Sequence, residues 1–283
     1  MKIKALVMLL RPHQWLKNLI LFFPPFLGGK LIILSASGHV LWLAPLAFCL
    51  ASSATYIFND IFDRNHDRLH PQKKFRPIAA GNLSLPMAAV FCGFLLLAGL
   101  LAGALVSAHF LLFLCIYLLI SLGYSLSWKK RPLVDLFCIS AGFILRLLAG
   151  GVAFHVTISD WLFLSVFLLS IFLSAGKRAG EQDLLGEDGR GHRVALAGYP
   201  PGFLDGVMIF SGAAVLVTYA MYTITHPYLI YTVPLCAFGL LRYLLRIKQG
   251  EGGDPTESLL KDKTLFIVGG LWVLMIGCGL YGQ

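Results

Sequence analysis

The chain has 283 residues, of which 58% are hydrophobic and only 13% are charged, and its formal net charge is +9. A soluble domain usually contains about 25% charged residues. The composition therefore excludes an ordinary soluble enzyme and predicts a protein that crosses a membrane several times, with residues 1–283 forming one transmembrane domain.

Long apolar segments follow one another along the chain, each close to the roughly 20 residues that a helix needs to cross the hydrocarbon core. The apolar runs are continuous and do not alternate with polar residues, so helices are favoured over a barrel. We therefore predict an all-α bundle. Its nine predicted spans lie near 14–34, 39–58, 86–106, 109–127, 133–153, 160–176, 203–225, 228–247 and 264–282.

The basic residues fall on one side of this predicted topology. All but two of the 23 Lys and Arg residues lie on the same side as the N-terminus. The positive-inside rule makes that side cytoplasmic, and we expect an integral protein of the inner (plasma) membrane, with no nucleic-acid partner. The exceptions are Lys30, on the opposite side, and Arg146, inside the fifth segment. Arg146 should face the bundle interior beside an anion, either a substrate phosphate or a carboxylate such as Asp135.

The loop after the second segment concentrates opposite charges in the sequence NDIFDRNHDRLHPQKKFRPIAAG, residues 59–81. Asp60, Asp63 and Asp67 are spaced i, i+3 and i+7. On a helix that extends past the second segment, this spacing places all three carboxylates on one face. Carboxylates grouped in this way repel one another unless cations lie between them.

Two sources of positive charge are compatible with this motif. Arg64 and Arg68 can pair with the aspartates as i,i+4 neighbours. Alternatively, the carboxylates bind Mg²⁺, which is typically held by one or two carboxylates together with substrate phosphate oxygens. The basic run Lys73, Lys74 and Arg76 would then take the remaining phosphate charge. Charges at membrane depth are costly and usually functional, which favours the metal.

The sequence NDIFDRNHD fits the pattern N-D-x-x-D-x-x-x-D, and it resembles the first aspartate-rich motif of the UbiA superfamily of intramembrane prenyltransferases. The number of spans and the cytoplasmic position of the motif are similar as well. The resemblance implies a bundle around a central cavity open to the cytoplasmic side. It also implies Mg²⁺ binding by Asn59, Asp60 and Asp63 and a catalytic role for these aspartates and Asp67.

The second acidic motif of that superfamily, D-x-x-x-D after span six, is absent in its strict form. The sequence SAGKRAGEQDLLGED, residues 174–188, stands there, with Lys177, Arg178 and Glu181 in place of the aspartates. This departure argues against plain aromatic prenyl transfer.

Further motifs resemble those of one branch, the decaprenyl-phosphate phosphoribosyltransferases. They are RPHQWLKN (11–18), HPQKKFRPIAAG (70–81), LRLLAGG (145–151), GKRAGE (176–181), LRY (241–243) and GDPTESLLKD (253–262). The resemblance implies transfer of a 5-phosphoribosyl group from phosphoribosyl pyrophosphate to a polyprenyl phosphate, with a product that feeds glycan assembly in the cell wall.

The residue types suit this chemistry. Mg²⁺ would stabilise the charge that develops on the departing pyrophosphate. The phosphate of the lipid is already anionic at neutral pH, so the reaction requires no strong general base. For Asp67, three roles stay open: binding a second metal, binding the ribose hydroxyls, or pairing with a basic neighbour.

The charge pattern and the resemblance together suggest a set of substrate-binding residues. Simpler roles stay open for some of them: Lys17 and Lys129 as topology anchors, and Lys177 with Glu181 as a helix salt bridge. Both motif loops are expected to face the same cavity. The full set is Lys17, Asn59, Lys73, Lys74, Arg76, Tyr124, Lys129, Arg146, Lys177, Arg178 and Glu181.

Two other functions are compatible with these residues. The first is transfer of a polyprenyl group from its diphosphate to an aromatic or other lipid-soluble acceptor. The second is a transporter or scaffold without chemistry. Transport sites usually lie near the bilayer midplane, whereas these carboxylates lie at the membrane boundary, so an enzyme is favoured.

Overall fold

The computed structural model of the protein describes residues 2–31, 37–70, 72–185, 196, 198–226, 228–251 and 253–282. Every regular element within these ranges is helical, which confirms the predicted all-α class. The α-helices are α1 (Lys2–Leu10), α2 (Phe23–Leu27), α3 (Val40–Phe62), α4 (Arg64–Leu69), α5 (Leu85–Val106), α6 (Ala108–Leu126), α7 (Val134–Ala153), α8 (Asp160–Leu185), α9 (Phe203–Ile224), α10 (Val233–Lys248), α11 (Pro255–Lys261) and α12 (Lys263–Tyr281).

Short 3₁₀ helices connect several of these elements. They lie at Pro12–Phe22, Lys73–Phe75, Trp128–Lys130 and Leu229–Thr232. The last of these runs directly into α10, and the two together form one membrane-length segment, Leu229–Lys248.

Eight helical segments in the described ranges are long and apolar enough to cross a membrane. They correspond to the second through ninth predicted spans. The first predicted span, 14–34, forms the 3₁₀ helix Pro12–Phe22 followed by the short α2, and its last residues lie outside the described ranges. Pro24 and Pro25 fall in the first turn of α2, where a missing N–H is tolerated, whereas in the interior of one continuous helix they would break it. The count of nine spans stays a prediction.

The chain divides into two compact units, each with its own core. Unit 1 comprises Met1–Pro25, Leu31–Lys129 and Leu145–Val156. Its central helix is α3, which packs chiefly against α5. Membrane helices associate closely where their facing residues are small, and α3 presents the fully buried Ala44, Ala47 and Ala51.

The 3₁₀ helix Pro12–Phe22 also lies in unit 1, close to the backbone of α7. A Cβ atom at Gly150 would lie 2.1 Å from the carbonyl oxygen of Leu21. Only glycine permits this approach, which gives a physical reason for the glycine in LRLLAGG. The contact seats the segment that follows Arg11.

Unit 2 comprises Phe26–Lys30, Lys130–Ile144 and Thr157–Gln283. Its central pair is α8 and α9. Helix α8 continues nine residues beyond the predicted end of the sixth span at 176, and its last turns carry the GKRAGE sequence. Charged residues end an apolar run without ending a helix, which is why the hydropathy pattern underestimates the length of α8.

Candidate functional site

The first aspartate motif lies where α3 ends and α4 begins, in unit 1. Asp63 is the residue between the two helices, with φ −85° and ψ 2°. Helical hydrogen bonding continues across this break, because the Asp63 N–H donates to the Asn59 carbonyl and the Asp67 N–H donates to the Asp63 carbonyl, both at 2.8 Å. The motif therefore keeps nearly helical spacing, as predicted.

Asp60 and Asp67 share one guanidinium. Arg76 Nη1 donates to Asp60 Oδ1 at 3.0 Å and to Asp67 Oδ2 at 2.7 Å. A second guanidinium, that of Arg11, donates to the same Asp60 Oδ1 at 2.5 Å. Asp60 is only 2% exposed, and a buried carboxylate needs such partners to remain charged. Asp60 is thus held between arginines from two distant parts of the sequence.

Asp63 belongs to a second cluster with Asn59 and Lys129. Lys129 Nζ donates to Asp63 Oδ1 at 2.5 Å and to Asn59 Oδ1 at 3.1 Å. The Asn59 amide also donates to Asp63 Oδ2 at 3.0 Å. Two side-chain oxygens therefore converge on one cation, which in this structure is the ammonium group of a lysine.

The local pairing of Arg64 and Arg68 with the aspartates, left open by the sequence, does not occur in the described chain. Arg68 Nε donates to the carbonyl of Ala79 at 3.2 Å. Arg64 Nε is buried without a hydrogen-bond partner. The aspartates pair with Arg11, Arg76 and Lys129 and not with their neighbours on the helix, because these three cations approach the motif from the protein interior.

The three basic residues of the 73–76 run differ in their surroundings. Arg76 contacts the aspartates, whereas Lys74 lies over the ring of Phe75 at 5.2 Å. Burial raises the pKa of Asp67 above its ordinary value, although Arg76 and, more weakly, Lys73 act to lower it. Asp67 therefore has the basic neighbour that was one of its three predicted alternatives, and this neighbour is Arg76.

Arg146 is buried in unit 1, as predicted. Its Nε donates to Asn18 Oδ1 at 2.7 Å, its Nη2 donates to the Tyr117 hydroxyl at 3.2 Å, and its guanidinium lies 4.5 Å from the centre of the Tyr117 ring. Aromatic faces stabilise a desolvated cation by about 2 kcal/mol. Asp135, which we considered as its carboxylate partner, contacts Arg178 instead. The phosphate role of Arg146 stays a prediction, as do the roles of Lys17 and Tyr124, both half-buried.

Arg11 is not among the residues predicted to bind substrate, although RPHQWLKN was recognised as a motif. Its backbone is left-handed, with φ 50° and ψ 60°, and its guanidinium lies 5.1 Å from the ring centre of Tyr56. For a residue other than glycine this conformation costs about 1–2 kcal/mol and persists where the surroundings hold it. The proline at position 12 was the one available signal, because it disfavours a helical conformation at the preceding residue.

The second motif lies in unit 2, where Arg178 is 1% exposed and joins two carboxylates. Its Nε donates to Asp135 Oδ2 at 2.6 Å and its Nη1 donates to Glu181 Oε2 at 2.8 Å. The Tyr199 hydroxyl donates to the other oxygen of Asp135 and accepts the N–H of Leu133 at 2.8 Å. Burial and the hydrogen bond to Asp135 raise the pKa of Tyr199. This network fixes the orientation of Glu181.

Lys177 points to a different partner. Its Nζ lies 2.8 Å from Asp254 Oδ2, and Asp254 also caps α11 by accepting the N–H groups of Thr256 and Glu257. A Cβ at Gly253 would lie 2.5 Å from the carbonyl oxygen of Gly176, so glycine is required where this segment meets α8. The alternative in which Lys177 pairs with Glu181 is therefore wrong, because Lys177 pairs with Asp254 and Glu181 pairs with Arg178. Residues 186–188 of the motif lie outside the described ranges.

The donor set of the first motif suits a metal that shares its ligands with a substrate. In the described part of the chain, no group of three or more His, Cys, Asp or Glu residues forms a complete metal site. The oxygens of Asn59 and Asp63 nevertheless converge on a cation, and Asp60 lies one residue away in the sequence. Mg²⁺ is commonly held by one or two carboxylates with substrate phosphates completing its shell, and these residues fit that pattern.

The chain is similar to known proteins over nearly its whole length. The model of the UbiA prenyltransferase family matches residues 22–270. A protein named decaprenyl-phosphate phosphoribosyltransferase from Mycolicibacterium smegmatis is 32% identical, with 99% of this chain and 93% of the relative covered. A protein of the same name from Corynebacterium glutamicum is 35% identical, with 98% and 87% covered.

Solved structures with the same fold include a UbiA homolog from Archaeoglobus fulgidus bound to GPP and Mg²⁺. Its TM-score is 0.73 at 20% identity, with 99% of this chain and 100% of that chain covered. The same homolog has been solved bound to DMAPP and Mg²⁺, with a TM-score of 0.72 at 18% identity and the same coverage of both chains.

Proposed function

This chain belongs to the UbiA prenyltransferase family, and from that premise we propose that it transfers a 5-phosphoribosyl group from phosphoribosyl pyrophosphate to a polyprenyl phosphate. The chain is an integral membrane transferase, and the relatives named above supply the precedent for these two substrates. We place it in the inner membrane, with the N-terminus and the motif loops facing the cytoplasm, where the soluble donor is found.

One observation carries the proposal: the three carboxylates of the first motif are matched by three cations, Arg76 from the end of the same loop and Arg11 and Lys129 from distant parts of the sequence. Local salt bridges would suffice if the charges served only the fold. Arg76 and Lys129 instead gather at the carboxylates that a metal would use. Such a collection of positive charge suits a donor that carries a pyrophosphate and a further phosphate.

Asn59, Asp60 and Asp63 would hold Mg²⁺, which when bound would neutralise charge on the departing pyrophosphate. Arg76 and Lys129, together with Lys73 and Lys74, would bind phosphate oxygens and orient the donor. As the bond from C1 to the pyrophosphate oxygen breaks, an oxygen of the lipid phosphate forms the new bond to C1. No residue needs to remove a proton, because the attacking oxygen is already anionic.

Asp67 would act through Arg76. The carboxylate lies 2.7 Å from Arg76 Nη1, and the same nitrogen donates to Asp60 Oδ1 at 3.0 Å. Asp67 holds the Arg76 guanidinium in place beside Asp60. We therefore treat Asp67 as a positioning residue.

In unit 2, Lys177 would bind a substrate phosphate, and Glu181 would accept a hydrogen bond from a substrate hydroxyl. The guanidinium of Arg178 is enclosed by Asp135 and Glu181, which suits a positioning role. A carboxylate that is already paired with a guanidinium retains lone pairs for hydroxyl groups, whereas its attraction for a metal is reduced. Lys17, Tyr124 and Arg146 complete the proposed set of residues that contact substrate.

A second candidate is prenyl transfer from a polyprenyl diphosphate to a lipid-soluble acceptor. The first motif favours it as much as it favours the phosphoribosyl reaction, since both donors carry a pyrophosphate. The second motif separates the two candidates. Lys177 and Arg178 stand where a further acidic pair would serve a prenyl diphosphate, and cationic residues suit a sugar phosphate better.

The test uses purified protein in lipid nanodiscs with Mg²⁺, ribose-labelled phosphoribosyl pyrophosphate and decaprenyl phosphate. Label should move into the organic phase and should stay aqueous when decaprenyl phosphate or Mg²⁺ is left out. A parallel reaction replaces the donor with labelled decaprenyl diphosphate and an aromatic acceptor. Product only in the parallel reaction would replace the proposal with prenyl transfer, and folded protein without product in either reaction would refute both.

A further inference from the structure

Arg11 occupies a position that the proposed metal chemistry leaves unexplained. Its guanidinium reaches across 49 positions of sequence to Asp60 Oδ1, at 2.5 Å. The backbone at Arg11 is left-handed, with Pro12 directly after it, and the side chain reaches the motif at Asp60. A strained backbone that delivers one charged group to one buried carboxylate suggests a specific task for that group.

The contact is made with a carboxylate that the metal would need. Asp60 Oδ1 accepts hydrogen bonds from both Arg11 and Arg76. A divalent cation approaching this oxygen meets two guanidinium groups, which repel it and occupy the lone pairs it would use. Arg11 and the metal are therefore competitors for Asp60.

The Arg11 guanidinium has an alternative position available once the metal binds Asp60. The Arg11 side chain is 20% exposed, unlike that of Asp60, and its guanidinium lies 5.1 Å from the centre of the Tyr56 ring, an aromatic face that stabilises a cation away from the carboxylate. A guanidinium binds phosphate oxygens through two parallel hydrogen bonds. A metal-bound pyrophosphate would therefore attract the group that the metal displaces.

We infer that Arg11 binds the pyrophosphate of the donor and, when no donor is bound, occupies the carboxylate of Asp60 in place of the metal. This inference rests on the proposed function. Its consequence is that metal and donor bind cooperatively, because the donor relieves the metal of a competitor. By linkage, the metal strengthens donor binding by the same factor.

The inference predicts opposite changes in two affinities. Without Arg11, a divalent metal alone should bind more tightly, by roughly twofold to fivefold, the scale of a partly exposed ion pair. The donor in the presence of metal should bind more weakly, by roughly tenfold to a hundredfold, the range for a charge-assisted hydrogen bond. A purely structural role for Arg11 would weaken both.

Arg11→Gly is the sharpest variant, because glycine adopts the left-handed conformation freely and the backbone can stay in place. Arg11→Lys keeps the charge but offers no bidentate fork, and it should retain weak metal binding while losing part of the donor affinity. Arg68→Ala is the matched control, since it removes an arginine of the motif segment 59–81 that donates to a backbone carbonyl and to none of the aspartates.

Metal affinity is measured with Mn²⁺ by electron paramagnetic resonance on protein in nanodiscs, without donor and then with inorganic pyrophosphate. Donor affinity is measured with phosphoribosyl pyrophosphate and Mg²⁺ by calorimetry. Tighter Mn²⁺ binding with weaker donor binding in Arg11→Gly, and neither change in Arg68→Ala, is the expected result. Weaker binding of both ligands, or no change in either, would overturn the inference.

The same experiment separates this inference from the proposed function. If the unaltered protein fails to bind phosphoribosyl pyrophosphate, the proposed donor is wrong. The pyrophosphate arm still tests Arg11, because every candidate donor carries that group. A smaller coupling between Mn²⁺ and inorganic pyrophosphate in Arg11→Gly than in the unaltered protein would then support the inference on its own, and an unchanged coupling would refute it.

Discussion

Asp135→Asn should destabilise the protein strongly, because it removes one half of a fully buried ion pair. Asp135 is 0% exposed and lies 2.6 Å from Arg178 Nε. The replacement has nearly the same volume, so no cavity forms. Its amide group, however, turns a donor toward either Arg178 or the Tyr199 hydroxyl, both of which also donate.

The magnitude follows from the partners that remain. Breaking a buried pair by removing one member costs about 3–5 kcal/mol. Glu181 stays on Arg178 at 2.8 Å and preserves part of the neutralisation, so we expect the lower end, about 3 kcal/mol. For a chain of this size, each kcal/mol shifts Tm by about 2–4 °C, which gives a decrease on the order of 6–12 °C.

The assay is thermal denaturation in detergent, followed by size-exclusion chromatography of the protein that remains folded. The matched control is Glu257→Gln, which breaks the exposed pair with Lys261 at 3.0 Å and should cost less than about 0.5 kcal/mol. The double variant Asp135→Leu with Arg178→Met should recover stability relative to Asp135→Asn, while transferase activity stays low because Glu181 has lost its anchor. A Tm for Asp135→Asn within about 1 °C of the unaltered protein would refute the reasoning.

Three further predictions concern the first motif. Asp60→Asn and Asp63→Asn should each cost several kcal/mol of transition-state stabilisation, measured as kcat/KM at saturating Mg²⁺, and near-normal turnover in both folded variants would contradict a metal role. Lys129→Ala should weaken donor binding by about 1–3 kcal/mol, measured by calorimetry, whereas the neighbouring Lys130→Ala should not, and equal effects would show a general charge contribution. Because the folded pKa of Asp67 is raised, the folded state holds the proton more tightly and the contribution of Asp67 to stability falls as pH rises above about 3.9. As pH rises above about 3.9, Tm should fall less for Asp67→Asn than for the unaltered protein. Equal falls in Tm for the two proteins would contradict a raised pKa of Asp67 in the folded state.

The apolar runs predicted the membrane helices well because a span must be long and continuous to cover the hydrocarbon core. Helices α3, α5, α6 and α9 begin and end within a few residues of the predicted spans. The first span departed from the prediction because hydropathy cannot register what Pro24 and Pro25 do to backbone hydrogen bonding. The length of the sixth span was underestimated because hydropathy reports the apolar residues that contact lipid, whereas the last turns of α8 are polar and do not depend on lipid contact.

For the candidate site, the sequence could predict the carboxylates and most of the basic residues but not their pairing. Spacing restricts which residues share a helix face, so Asp60, Asp63 and Asp67 were predicted to lie on one face. Asp60 and Asp67 do share the guanidinium of Arg76, whereas Asp63 pairs separately with Lys129. The contacts of Arg11 and Lys129 depend on tertiary structure over 49 and 66 positions. The same holds for Asp135, which the sequence offered only as an alternative to phosphate as the partner of Arg146, and which the fold joins to Arg178.

Helix α8 runs without interruption from Asp160 to Leu185, a length of 26 residues. At 1.5 Å per residue this is about 39 Å, against a hydrocarbon core of about 30 Å. The turns that carry Lys177, Arg178 and Glu181 are therefore a rigid continuation of the span, and their angular position is set by the residues that pack deep in unit 2. Adding one residue between the packed part of the helix and Lys177 would turn these side chains by about 100° relative to that packing. The packing of the membrane span therefore fixes the direction in which the polar side chains at its end point. A flexible loop of the same sequence would not fix that direction.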